Sequence, residues 1–245
     1  MEESTFRSER LANERIVRVY TPPGYDPQGQ PYSLLVVLDG LTYTSDIPTP
    51  AILDDLLAAG RIRPLVAVFV ANASPEARNV DLACHPPFAE FLAQELVPWV
   101  RRSYRVTDDP TRAAIAGSSL GGLAAVCAAL KSPDLFGNVL SLSGAFPWSP
   151  SGEEPEALAR QLATGPKLPL RFYLEAGLEE TVARPGGTSL LASNRHLRTV
   201  LEARGYAVEY HEFNGGHSIQ YWQASLPNGL IALFGFGETT PPPPS

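Results

Sequence analysis

Residues 112–131 read RAAIAGSSLGGLAAVCAALK, with two adjacent serines among glycines where a strand-like run passes into a helix-like one. A serine held in a sharp strand-to-helix turn can attack an acyl carbon, and that turn closes only if the residues two before and two after it are small. Gly117-Ser118-Ser119-Leu120-Gly121 meets this demand for Ser119, which has glycine at both flanking sites. Ser118 would put Ala116 before it and bulky Leu120 after it, so Ser119 is the candidate nucleophile. The bland alternative is a glycine turn with a serine helix cap.

A serine hydroxyl needs a base to take its proton, and an imidazole base needs a carboxylate to fix its tautomer and stabilise its charged form. On a parallel sheet with such a turn, the chain order is Ser, acid, His, with each partner on a loop after a later strand. Of the four histidines, His85 and His196 precede the last expected strand and His211 lies inside it. His217 follows that strand in NGGHS, where two glycines let the backbone turn the ring, so it is the candidate base. The acid belongs after the penultimate strand, in YLEAGLEETVARPGG, where Glu175, Glu179 and Glu180 compete. Glu175 still belongs to the strand and Glu179 adjoins a turn, which favours Glu180. The oxyanion of such a reaction needs two preorganised donors, here the N–H of Leu120 and the Gly40–Leu41 peptide in VVLDGLTYTSD. Asp39 is expected to brace that loop.

The elements that must position these residues are visible as alternating runs. Strands are expected at 15–20, 33–39, 65–71, 112–117, 138–144, 170–177 and 207–213, and the middle ones are nearly all apolar, as in strands covered on both faces. Helical spacing occupies 50–60, 87–104, the stretch after Gly122, and 194–205. The alternation predicts an α/β fold: a mostly parallel twisted sheet with helices on both faces, in three layers, and a site at the C-terminal strand edge. Residues 146–169, rich in Pro, Gly and Glu, read as an insertion or lid that could border a pocket.

The chain has 245 residues, suited to one catalytic domain over 1–238 followed by a flexible proline-rich tail at 239–245. A net charge of −7 argues against a nucleic-acid partner, which would need a basic stripe. The charged start MEESTFRSERLANER and the absence of a long apolar run predict no membrane partner and a cytoplasmic setting. Cys84 and Cys127 have no metal-ligand spacing and read as two reduced thiols, with Cys127 on a helix.

Several stretches together resemble the esterase D group of α/β hydrolases, especially the catalytic domain of enterochelin (ferric-enterobactin) esterases. They are VYTPPGYDP (19–27), LLVVLDG (34–40), RNVDLACHPPFAEFLAQELVPWV (78–100), AGSSLGGLAA (116–125), FGNVLSLSGAFPW (136–148), LEAGLEE (174–180) and EFNGGHSIQYW (212–222). The resemblance implies the α/β-hydrolase fold and a serine esterase with Ser119, His217 and Glu180 as its triad. It also implies an oxyanion hole from the N–H groups of Leu41 and Leu120. The longer relatives carry an additional N-terminal domain, so the chain is expected to match the single-domain members. The family often reads GGHDxxxWR, whereas Ser218 and Gln223 stand here, and His85 replaces an asparagine common in relatives.

The expected partner is a small-molecule ester, with no metal or organic cofactor. Arg78 is the candidate cation for an anionic ferric catecholate. It could instead form a surface pair with Asp81. Tyr43, Phe146, Trp148 and Trp222 are candidates for an aromatic acyl or catechol pocket, against a plain core role. GLTYTSD is similar to a loop of S-formylglutathione hydrolases, which makes acyl thioesters an alternative beside phenolic or carbohydrate esters. A catalytically silent binding module on the same fold is the rival of another class.

Overall fold

Strands buried on both faces must be apolar throughout, and the centre of this sheet is built from such runs. In the computed structural model, which describes residues 1–150, 154–183 and 187–236, β1 spans Glu2–Ser8, β2 Asn13–Tyr20, β3 Ser33–Leu38, β4 Leu65–Val70, β5 Ala113–Ser118, β6 Asn138–Leu142, β7 Arg171–Gly177 and β8 Ala207–Phe213. Every residue of β3, β4, β5 and β6 is buried. The order across the sheet is β1-β2-β4-β3-β5-β6-β7-β8. From β4 to β8 all neighbours pair parallel, while β1 and β2 form an antiparallel hairpin joined to β4 at one edge.

Alternation along the strands divides the core into two layers. Leu34, Val36 and Leu38 face one layer with Phe91, Leu123, Val126 and Phe172, and Leu35 and Val37 face the other with Tyr43, Leu53, Tyr173 and Trp222. The helices are α1 (Thr49–Ala58), α2 (Pro75–Asp81), α3 (Pro86–Phe91), α4 (Val97–Ser103), α5 (Leu120–Lys131), α6 (Ala157–Thr164), α7 (Leu190–Ala203) and α8 (Ile219–Phe234). Helices α1 and α8 cover one face of the sheet, and α3, α4, α5, α6 and α7 cover the other. This is the α/β-hydrolase fold.

The departures from expectation have local causes. The strand β1 has a charged sequence and is held as an edge by its hairpin register with β2. The single helix expected over 87–104 is interrupted by a π-type turn at Leu92–Leu96, just before Pro98, whose missing N–H breaks the regular ladder. Pro227 sits inside α8, where burial of Trp222, Leu226, Leu230 and Phe234 outweighs the poor local propensity. The stretch 146–169 contains α6, and Gln161 on it lines a cavity of about 200 Å³ with His85, Phe88, Ala124 and Lys131. Residues 151–153 of that stretch and the expected tail at 239–245 lie outside the described residues. Among those residues, no helix is long and apolar enough to cross a membrane.

Cys84 and Cys127 are not the reduced thiols expected: they form a disulfide, with Cα atoms 5.4 Å apart. Sequence spacing carries no distance, and the turn after α2 lays Cys84 against α5. The bridge closes 43 residues of chain. Cys84→Ser with Cys127→Ser should therefore cost about 2–4 kcal/mol of stability by releasing that loop in the unfolded state. Urea unfolding of the variant and the parent measures it, and an unchanged midpoint would contradict a bridge in the folded protein.

Candidate active site

β5 ends at Ser118 and α5 starts at Leu120, leaving Ser119 alone in the turn with φ 56° and ψ −122°. A non-glycine residue there is strained and persists only where surrounding packing enforces it. The packing is visible: a Cβ on Gly117 would lie 2.5 Å from the Gly121 carbonyl carbon, and one on Gly121 would lie 3.1 Å from Asp39 Oδ2. The Ser119 N–H donates to Leu142 O at 2.9 Å, and its carbonyl accepts from Ala145 N at 2.9 Å, so β6 and the loop after it clamp the turn. Ser118 is buried at 3% exposure. Ser119 is only half-buried.

His217 meets Ser119 from the loop after β8. Its Nε2 lies 2.9 Å from Ser119 Oγ, and its Nδ1 lies 2.9 Å from Glu180 Oε1. The two glycines before it have no positive φ. Gly215 is required for close packing instead, since a Cβ there would lie 2.3 Å from the Tyr221 ring.

The three glutamates separate by direction. Glu180 has a side chain 1% exposed, against 27% for His217, and its Oε2 accepts from Gly177 N–H at 3.3 Å. Glu175 turns into the layer under α8, where its carboxylate accepts from the Tyr173 hydroxyl and burial pushes its pKa up. Glu179 is exposed. The structure thus brings Ser119, His217 and Glu180 into one hydrogen-bonded line.

The expected oxyanion donors sit at two segment starts. Leu120 opens α5, and the first N–H groups of a helix have no intrahelical acceptor. Leu41 precedes the helical turn Thr42–Asp46 and follows Asp39, which has φ 54°. The Gly40 N–H donates to Val70 O at 2.8 Å, and a Cβ on Gly40 would lie 2.5 Å from the β4 backbone, so this loop lies flat on β4.

Asp39 braces the loop as expected, with unexpected partners. It accepts from Arg78 Nε at 2.6 Å and Nη2 at 2.8 Å, and from Asn72 Nδ2 at 2.6 Å. This fork raises the Arg78 pKa. The Arg78–Asp81 pair considered from sequence does not form: Asp81 receives the buried Arg15 at 3.0 Å. Arg78 therefore stands behind the Asp39–Leu41 loop, its side chain 31% exposed, with two nitrogens committed to Asp39.

The aromatic candidates divide likewise. Tyr43 and Phe146 are each 1% exposed and belong to the core, which removes Tyr43 as the wall of an open pocket. Trp148 is half-buried in the loop after β6. Trp222 is 8% exposed and packs edge-on against His217, with centroids 4.9 Å apart at 90°. Sequence reasoning named Leu41 for its N–H alone and missed Leu178 and Tyr221; all three are large apolar side chains about 40% exposed, on the segments that carry the expected oxyanion donor, Glu180 and His217. Large apolar residues beside each motif were the available signal. Among the described residues, no group of three or more His, Cys, Asp or Glu side chains could hold a metal ion.

Comparison with known proteins gives one consistent result. A family model described as putative esterase matches residues 8–233. The chain is 32% identical over 238 residues to the iron(III) enterobactin esterase of Dickeya dadantii (strain 3937), which covers 92% of this chain and 53% of that protein. It is 31% identical over 235 residues to the iron(III) enterobactin esterase of Escherichia coli (strain K12), covering 95% and 56% respectively. The crystal structure of the Shigella flexneri enterobactin esterase in the presence of enterobactin has a TM-score of 0.86 and 31% identity, over 95% of this chain and 58% of that one. The chain spans about half the length of the curated relatives it matches.

Proposed function

The chain belongs to the putative-esterase family, and from that premise we propose that it is a serine carboxylesterase working through an acyl-enzyme. The observation that carries this reading is the line Glu180–His217–Ser119, with both of its contacts at 2.9 Å. Ser119 Oγ attacks the ester carbonyl while His217 Nε2 takes its proton, and the carbonyl electron pair moves onto oxygen between the N–H groups of Leu41 and Leu120. Collapse of that intermediate breaks the bond to the alcohol, which leaves with the proton from His217. Water then attacks the acyl-enzyme with His217 as base, releasing the acid and restoring Ser119. Glu180 holds the proton of His217 on Nδ1 and stabilises the imidazolium as it forms.

The substrate proposed is a small-molecule ester of the siderophore type, supported by 31–32% identity to iron(III) enterobactin esterases. Leu41, Leu178 and Tyr221 would offer apolar contact to its aromatic groups. No nucleic acid or membrane partner is part of the proposal. The setting proposed is the cytoplasm, where the Cys84–Cys127 bond would stand against a reducing pool. A substrate panel tests the reading: a ferric and an iron-free catecholate trilactone, a feruloyl ester, S-formylglutathione and nitrophenyl esters. Turnover of the lactones is expected. Hydrolysis of nitrophenyl acetate with no action on either lactone would overturn the siderophore assignment.

A further inference from the structure

The imidazole of His217 is held at two points, Nδ1 by Glu180 and Nε2 by Ser119. Rocking about the line through these two nitrogens leaves both contact distances nearly unchanged, so two hydrogen bonds do not fix the ring plane. A third contact is present. The Trp222 ring meets His217 at 90° with centroids 4.9 Å apart. Trp222 is itself anchored, since its indole N–H donates to Ser143 Oγ at 3.0 Å in a buried contact.

Ser143 is fully buried just beyond β6, with φ 50°, and its own N–H donates to the Glu175 carbonyl at 2.7 Å. The anchor is therefore tied to the end of β6 and to β7. A buried indole N–H needs an acceptor whatever its role; here the acceptor is Ser143 Oγ, which also fixes how Trp222 lies against His217, and strain at Ser143 marks a position that the surroundings enforce.

We propose that Trp222 is a positioning residue that sets the ring plane of His217, with Ser143 as its anchor. The proposal rests on the serine-esterase reading. In that reaction Nε2 receives a proton from Ser119 and gives it to a leaving alcohol at a different point, so ring tilt must be limited without being locked. Trp222 supplies that limit through its T-shaped contact with the imidazole, while both ring nitrogens keep their hydrogen-bond partners.

Trp222→Phe keeps an aromatic ring and drops the N–H, and Ser143→Ala drops its acceptor. Each is expected to lower kcat by about 10- to 100-fold with KM unchanged, the scale of a misplaced catalytic group. Because both act through one hydrogen bond, the double variant should be no slower than the slower single variant. The low-field NMR resonance of the His217 Nδ1 proton should be sharp in the parent and broadened in both variants. If Ser143→Ala fails to fold by circular dichroism, Trp222→Phe carries the test.

Parent-like kcat and a sharp resonance in Trp222→Phe, with Ser119→Ala inactive, would overturn the positioning role alone. A raised KM at unchanged kcat would make Trp222 a substrate wall and overturn it as well. A parent protein inactive on every ester would overturn the esterase reading beneath it.

Discussion

Ser119→Ala should lower kcat for any accepted ester by roughly 10⁶-fold, the scale seen when a triad nucleophile is removed elsewhere. The residual rate would come from the oxyanion donors and from substrate binding, neither of which involves the missing Oγ. Folding should survive, because the strained turn is held by backbone contacts to Leu142 and Ala145 and by the glycines at 117 and 121, not by the hydroxyl. Ser118→Ala is the matched control: that side chain is buried at 3% exposure and should affect turnover by no more than a few-fold. Steady-state kinetics on a nitrophenyl ester measures both. A Ser119→Ala protein retaining a tenth of the parent rate would show that the nucleophile is elsewhere.

Glu180→Gln should be the second largest loss, about 10⁴-fold in kcat, because an amide at Nδ1 no longer imposes the tautomer that leaves Nε2 free to accept the serine proton. Its neighbours supply the contrast. Glu179→Gln changes an exposed side chain. Glu175→Gln replaces a carboxyl group whose burial already favours its neutral form and which faces Tyr173 in the layer under α8. Both should keep kcat within a few-fold of the parent. If Glu175→Gln rather than Glu180→Gln abolished turnover, the geometry between His217 and Glu180 would not be the working one.

Much of this site can be read along the chain because its demands are local. The elbow requires small residues at fixed offsets, which separates Ser119 from Ser118. A base must follow the last strand, which separates His217 from His211. The period of two along β7 was a further usable signal: Tyr173 lies in the layer under α8, and Glu175, two residues on, points the same way.

What stayed hidden depends on distances between segments. Arg78 has Asp81 three residues away and still pairs with Asp39 across 39 positions, because the end of β3 and α2 converge behind the Gly40–Leu41 loop. The disulfide partners are likewise near only once the turn after α2 packs on α5. Tyr43 belongs to a loop in sequence and to the core in the fold, since the π-type turn over Thr42–Asp46 rolls it inward. Trp222 sits on a helix interrupted by Pro227, and nothing near it in sequence names Ser143 as its partner.

The central claim is that the Ser119 hydroxyl is activated by His217. Treatment of folded protein with a fluorophosphonate, followed by digestion and mass spectrometry, tests it most directly, since such a reagent reports an activated serine without requiring the natural ester. The expected result is one adduct on the peptide containing Ser119, located on Ser119 by fragmentation and lost in His217→Ala. An adduct on Ser118, or no adduct while the protein remains folded, would contradict the claim.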